Sequence, residues 1–231
     1  MRVLAPSSTV RAANHMVASA DHLATAAGTS MFERGGNAVD AAIATNAVLT
    51  VTAPHLCGMG GDLFALVHVD GVVSALNASG RAGAGADAAL LRAEGHSEMP
   101  FRHDIRSVTV PGCVDGWLAL HARFGSLPLE TVFGPARRLA EGGFPAAPLL
   151  VGAVAELDQR ARGALSEIAL QATATGARVR RPGLAAVLEA LAAGDRSCFY
   201  LGPFGDGLLS LGDGLFVDGD LRTPVAEWVA P

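Results

Sequence analysis

The sequence contains no lysine: its 17 basic residues are all arginine, set against 22 acidic ones. The net charge of −5 leaves no basic footprint for nucleic acid. Cysteine is scarce too. Cys57, Cys113 and Cys198 are odd in number, far apart and free of any C-x-x-C pairing. That pattern argues against a disulfide framework or a zinc site and leaves reduced, buried thiols as the plain reading. No uninterrupted apolar run reaches about 18 residues, so no transmembrane helix is expected. Residues 1–10 lack a charged start followed by an apolar stretch, so no signal peptide is expected and the cytoplasm is the default compartment. Aromatics make up only 5%, which suggests closely packed elements rather than a bulky core.

What is present is apolar and small. Half of the 231 residues are hydrophobic, 17% are charged, and 28 are glycine. Burial is not limiting, and closely packed elements are expected in one large domain or two small ones.

Residues 1–15 read as a loose arm. Met16–Ala20 is expected as a short strand. A helix follows over 22–34, with Asp21 as N-cap and Leu23, Ala26, Ala27, Met31 and Phe32 at helical spacing. Gly35-Gly36 ends it. Asn37 then caps a helix over 38–51, with Asp40 in the capping-box position and Pro54 as its stop. That helix is apolar on more than one side, so it belongs between layers.

A second glycine turn, Gly58-Met59-Gly60-Gly61, leads into Leu63–Val69 and Val72–Asn77, joined by Asp70-Gly71. Two such runs across an Asp-Gly pair predict a tight hairpin. Further on, the patterns predict a short helix at 87–94, a strand at 107–110, and helices at 115–124, 129–141, 148–165 and 182–193. Residues 166–180 fit no single pattern, and 200–231 are rich in Gly, Asp and Pro. Strands thus cluster over 16–110 and helices over 115–195. About four strands are too few for a closed sheet, so the remaining ones are expected from elsewhere.

Few residues point to chemistry. Arg81 leaves the second hairpin strand through Ser79-Gly80. It is either a solvated loop residue or a guanidinium that grips a carboxylate through parallel hydrogen bonds. Gly83-Ala84-Gly85-Ala86-Asp87-Ala88 imitates a dinucleotide turn, but the preceding strand is half of a hairpin rather than of a parallel βαβ unit. His96, Glu98 and His103 match no metal-ligand spacing and read as exposed loop residues. His22, His55, His68 and His121 are isolated and read as caps or surface groups.

Taken in order, several segments resemble the large-subunit, N-terminal part of the gamma-glutamyltranspeptidase family. They are Ala24-Thr25-x-Ala27-Gly28, Arg34 to Ala42, Gly58 to Phe64, Val110-Pro111-Gly112 with Gly116, and Phe124-Gly125-x-Leu127-Pro128. Pro135-Ala136, Leu139 to Pro145, Phe199-Tyr200-x-Gly202 and Asp220 to Pro231 continue the series. The resemblance implies an α+β N-terminal-nucleophile hydrolase fold, an αββα sandwich, incomplete without the nucleophile-bearing chain. It implies an amidohydrolase or transpeptidase of the gamma-glutamyltransferase and glutathione hydrolase type, whose Thr hydroxyl attacks the amide of a gamma-glutamyl or related donor. No metal or other cofactor is implied.

Arg81 matches the family's Arg that holds the donor's alpha-carboxylate. Ala82 follows it where the family commonly has an acidic residue. Asp62 stands where glutathione-type members more often have Gly, a form that looks like members acting on other amides. Residues 16–231 carry the resemblance but no Thr-Thr-His or similar nucleophile segment, and Thr223, which precedes Pro224, is a poor candidate. The expectation is therefore no catalytic residue on this chain and a small-subunit-like partner that supplies the Thr. The alternatives are a non-catalytic remnant or carboxylate-binding module, or a truncated fragment.

Overall fold

The structure is a computed structural model and describes residues 10–100 and 104–231. The first nine residues of the expected arm, and His103, lie outside that range.

The chain begins with α1 (His22–Glu33) and α2 (Ala38–Thr52), then β1 (Leu63–Val69) and β2 (Val72–Ala78). After α3 (Ala88–Ala93) and a 3₁₀ turn (Ile105–Ser107) come α4 (Cys113–Phe124), α5 (Leu129–Gly142) and β3 (Phe144–Pro145). There follow α6 (Pro148–Ala155), α7 (Gln159–Ala164), α8 (Ser166–Ala169), β4 (Arg178–Val179) and α9 (Pro182–Ala192). The last elements are α10 (Ser197–Tyr200), α11 (Pro203–Leu211), α12 (Asp218–Arg222) and β5 (Glu227–Val229).

The first 80 residues fold much as their pattern predicts. Asp21 caps α1 by accepting from Leu23 and Ala24 N–H. Gly35, at φ 83°, closes it, and Gly36 N–H reaches back to the Met31 carbonyl. Asn37 and Asp40 form a reciprocal capping box on α2. Eleven of the 15 residues of α2 are buried, and it packs against α1, α4 and α5. Asp70 at φ 51° and Gly71 at φ 81° make the two-residue hairpin turn.

Both ends of α2 are satisfied by distant groups. The Asp40 carboxylate is fully buried and has no cation beside it among the described residues. It accepts from the N–H groups of Asn37, Ser126 and Leu127 instead. Asn37 Nδ2 donates to the Phe124 carbonyl at 2.6 Å. At the other end Arg181 Nη1 donates to the Thr50 carbonyl at 2.7 Å.

The principal sheet has the order β1-β2-β5, all antiparallel, with Leu66 opposite Ala75 and Ala75 opposite Val229. One face (Leu63, Ala65, Val67, Leu76, Trp228) packs on the helical core. The approach of α4 is so close that a Cβ on Gly116 would lie 2.8 Å from Leu63 Cδ2. The other face carries Phe64, Leu66, Val73 and Val229, which are 69%, 75%, 43% and 44% exposed. Among the described residues nothing covers this face, and β1 and β5 keep their outer edges unpaired.

Three expectations need correction. Residues 16–20 form no strand, because no strand lies beside them among the described residues. They run over α1 with Val17 against Gly28, where a Cβ would sit 3.0 Å from Val17 Cγ1. Residues 107–110 are not a strand either. Asp104 caps a 3₁₀ turn there, and only Val110 N–H makes a main-chain bond toward the hairpin, to Arg81. The predicted helix 148–165 is broken at 156–158, where Asp158 caps α7 by accepting from Ala161 N–H. The tail is more ordered than its composition suggests: Pro203 opens α11 at its first turn, and β5 exists because β2 offers it an edge. No helix among the described residues is long and apolar enough to cross a membrane.

Replacing Asp40 by Ala leaves several buried N–H groups without an acceptor. We expect Asp40→Ala to lower unfolding stability by about 3 kcal/mol, read from urea denaturation of the chain. A loss below roughly 1 kcal/mol would mean that the box is not what fixes α2.

Candidate functional site

The two glycine turns and the hairpin exit meet at one end of the sheet. Gly61 carbonyl accepts from Gly112 N–H at 3.1 Å and from Cys113 N–H at 2.9 Å, which seats the Gly58–Gly61 turn on the start of α4. Beyond β2, Asn77 Oδ1 turns the chain by accepting from Ser79 N–H. Gly80 has φ 79°, and a Cβ there would lie 2.0 Å from the Val110 carbonyl oxygen. A Cβ on Gly112 would lie 1.9 Å from the Ala78 carbonyl oxygen. The backbones of 78–81 and 110–112 are therefore pressed together, and both positions require glycine.

Arg81 emerges from this contact. Its carbonyl accepts from Val110 N–H at 2.8 Å. Its half-buried guanidinium reaches the chain leading to β5: Nη2 donates to the carbonyls of Asp220 (2.8 Å) and Thr223 (3.2 Å), and Nη1 to that of Pro224 (3.5 Å). All three acceptors are neutral. No carboxylate lies within ion-pair distance of Arg81 among the described residues.

A guanidinium has five N–H groups, and three are used here. Nε–H and one N–H of Nη1 remain. They lie on opposite sides of the fork, so a carboxylate can take one bond from either at once. A parallel two-bond grip needs Nη2 to give up a carbonyl.

A part-buried ion pair stands beside it. Arg196 Nε donates to Asp115 Oδ1 at 2.6 Å and Nη2 to Asp115 Oδ2 at 3.2 Å; the Asp115 side chain is only 3% exposed. Arg196 lies over the Tyr200 ring, 3.9 Å from its centroid. The Tyr200 hydroxyl donates to the Pro111 carbonyl, and burial raises its pKa well above the ordinary phenol value. Asp220 completes the frame, accepting from Ala84 and Val217 N–H through Oδ2.

The dinucleotide-like turn has a packing explanation. Cβ atoms on Gly83 and Gly85 would lie 2.4 and 1.8 Å from the carbonyl oxygens of Leu215 and Gly214. These glycines let two loops touch.

The other candidates stay apart from Arg81. His96 sits 4.0 Å from Glu94, beside the Asp104–Arg106 pair. Cys113 is buried against Asn46, and desolvation pushes its thiol up to about 12. His55, read as a cap or surface group, is neither: both ring nitrogens are enclosed without a partner, and burial lowers its pKa. Thr223 is bonded into the tail through its hydroxyl and carbonyl. A cleft of about 840 Å³ is lined by Ile105, Arg106, Arg160 and Leu215 among others, and Arg81 is not in its wall.

Sequence reasoning missed Asp115, Arg196, Tyr200 and Asp220. A helix drawn from Asp115 treats it as a first residue, whereas α4 starts at Cys113 and turns it inward. The signal available was the run Val110-Pro111-Gly112, which fixes where that helix begins. For Arg196, 81 residues from Asp115, no local signal exists.

Gly80→Ala should cost about 2 kcal/mol or more, from the left-handed backbone and the clash with Val110. Gly60→Ala, whose Cβ would make only ordinary contacts at 3.5 Å, should be near neutral. Thermal unfolding of the two variants checks the contrast.

Comparison with known proteins supports one family. The family model described as Gamma-glutamyltranspeptidase matches residues 24–231. The chain is 34% identical over 233 residues to the glutathione hydrolase-like YwrD proenzyme of Bacillus subtilis, covering 94% of this chain and 43% of that protein. It is 32% identical to the oxamate amidohydrolase proenzyme of Klebsiella pneumoniae, again covering 94% and 43%. The chain thus spans under half the length of these relatives. Among solved structures, the gamma-glutamyltranspeptidase from Pseudomonas nitroreducens complexed with L-DON superposes with a TM-score of 0.83 at 29% identity, covering 94% of this chain and 67% of that one. Cephalosporin acylase from Bacillus halodurans gives a TM-score of 0.81 at 33% identity over 90% of this chain and 42% of that one. The mixed helix-and-sheet fold is that of the N-terminal-nucleophile hydrolases.

Proposed function

Because the chain belongs to the gamma-glutamyltranspeptidase family, we propose that it is the large-subunit-like half of an amide-cleaving acyltransferase. Its nucleophile resides on a chain that packs against the open sheet, whether separately encoded or cut from the same precursor. The observation that carries this reading is the uncovered outer face. Phe64, Leu66, Val73 and Val229 form a contiguous apolar stripe flanked by two strand edges that are unpaired among the described residues. In an αββα sandwich that stripe is the inner surface between two sheets, so its occupant is the sheet of the nucleophile chain.

The chemistry follows from the parts. A threonine at the N-terminus of the partner attacks the donor carbonyl, its own amino group taking the hydroxyl proton. The amide C–N bond breaks, the amine leaves with that proton, and an ester to the threonine remains. Water or a second amine then attacks the ester and releases the acyl group. This chain supplies substrate binding. Arg81, uncompensated by any carboxylate among the described residues, provides the positive charge for the donor's carboxylate.

Relatives named for glutathione and oxamate are named for small amides that carry a carboxylate, which fits a cationic anchor. Asp62 is exposed at the same end of the hairpin. Its charge would bias the neighbouring space against a second anionic group on the substrate.

Four measurements test the proposal. Leu66→Asp alters an exposed residue, so the chain should stay folded while co-purification with the nucleophile chain is lost. In the assembled enzyme, Arg81→Ala should raise KM for carboxylate-bearing amides by about 100-fold, with kcat changed far less. A stable complex with its threonine free that hydrolyses no gamma-glutamyl anilide would end this reading. Glutamate binding by the lone chain, lost in Arg81→Ala, would favour a carboxylate-binding module instead.

A further inference from the structure

Arg81 is half-buried on a loop exit, where a long side chain ordinarily samples many rotamers. Here its main chain and its guanidinium are referenced to a single polar unit. The main chain is fixed by Val110 N–H, one residue before Pro111, whose carbonyl accepts from Tyr200. The guanidinium is fixed by the carbonyls of residues 220, 223 and 224.

Those carbonyls do not hold themselves in place. Arg196 Nη1 donates to the Leu221 carbonyl at 2.6 Å, and Nη2 donates to the Thr223 carbonyl at 3.1 Å. Asp115 Oδ2 accepts from Val225 N–H at 2.8 Å. The Thr223 carbonyl is thus shared between Nη2 of Arg81 and Nη2 of Arg196. The ion pair clamps the turn from one side while Arg81 rests on it from the other.

We propose that Asp115 and Arg196 are positioning residues for substrate binding: through the 221–225 turn they set where the Arg81 guanidinium stands. The inference rests on the reading of Arg81 as the carboxylate anchor. Neither residue needs to touch substrate. A shared neutral acceptor couples the two guanidiniums without placing a counter-ion on Arg81, so Arg81 is held while its charge stays available. Lysine cannot replace Arg196 here. One ammonium cannot span both oxygens of Asp115 and the carbonyls of 221 and 223.

The test uses the assembled enzyme and two amide substrates of equal leaving group, one with the alpha-carboxylate and one with hydrogen in its place. Arg196→Lys should raise KM for the first by about tenfold, leave that for the second within about twofold, and change kcat little for either. The same change made in an Arg81→Ala background should add nothing further to KM, since Arg196 acts only through Arg81. Asp115→Asn, which keeps the side-chain volume, repeats the test where Arg196→Lys prevents assembly. Unfolding temperature is measured alongside to confirm that each variant is folded.

Equal losses on both substrates, an additive double variant or an unchanged KM would overturn the positioning role. If instead Arg81→Ala itself leaves KM for the carboxylate substrate unchanged, the anchor reading fails first. The two failures are therefore distinguishable.

Discussion

The buried carboxylate of Asp40 is the constraint on which the rest of the structure depends. A helix buried nearly all round, as α2 is, cannot leave its terminal N–H groups and carbonyls to water. Asp40 and Asn37 take up the first turn and simultaneously hold the 124–127 segment. That segment separates α4 from α5. The first-turn carboxylate therefore fixes the ends of three helices at once, and the helix dipole favours its charge where no cation stands among the described residues. Arg181 does the reciprocal service at the other end of α2 and ties in the start of α9. Desolvation lowers its pKa, so the bond to Thr50 is made at a cost in hydration.

Docking follows from this anchoring. With α2 fixed, Asn46 on its surface accepts from Trp117 Nε1 at 2.8 Å and brings α4 alongside. The small residues of α4 then admit the hairpin, Gly116 most closely. The hairpin's exit meets the start of α4 at Gly80 and Gly112. Arg81 is aimed by a chain of contacts that begins at a helix cap about 40 residues earlier in the sequence, and each link uses an atom too small or too polar to be exchanged freely.

How much of this was legible follows from which interactions are local. The caps at Asp21 and Asn37, the Gly35 stop and the Asp70-Gly71 turn are decided within four or five residues, and the structure has them where the pattern put them. The strand predicted at 16–20 failed because a strand exists only by pairing, and nothing pairs there. β5 failed in the opposite sense: its three residues carry no signal, and only β2 makes them a strand. Arg81 stood out locally as an arginine at a strand exit, and the resemblance favoured its carboxylate-binding reading over that of a solvated loop residue. The exit loop's glycines, which look like a nucleotide fingerprint, are explained by backbone contacts with 214–215 that no local spacing reveals.

The part of the site that stayed illegible is the part that holds Arg81 in place. Asp115 and Arg196 meet across 81 residues, and their carbonyl partners are main-chain atoms whose identity any side chain would satisfy. Residues 221, 223 and 224 could vary in type without changing the contact, so sequence is a poor witness to it. The ion pair itself is costly to bury. A hydrophobic pair of similar volume would pack as well and would not orient carbonyls. A buried charge pair that spends its remaining donors on one turn, the turn on which an uncompensated arginine rests, is better explained by the position of that arginine than by stability alone.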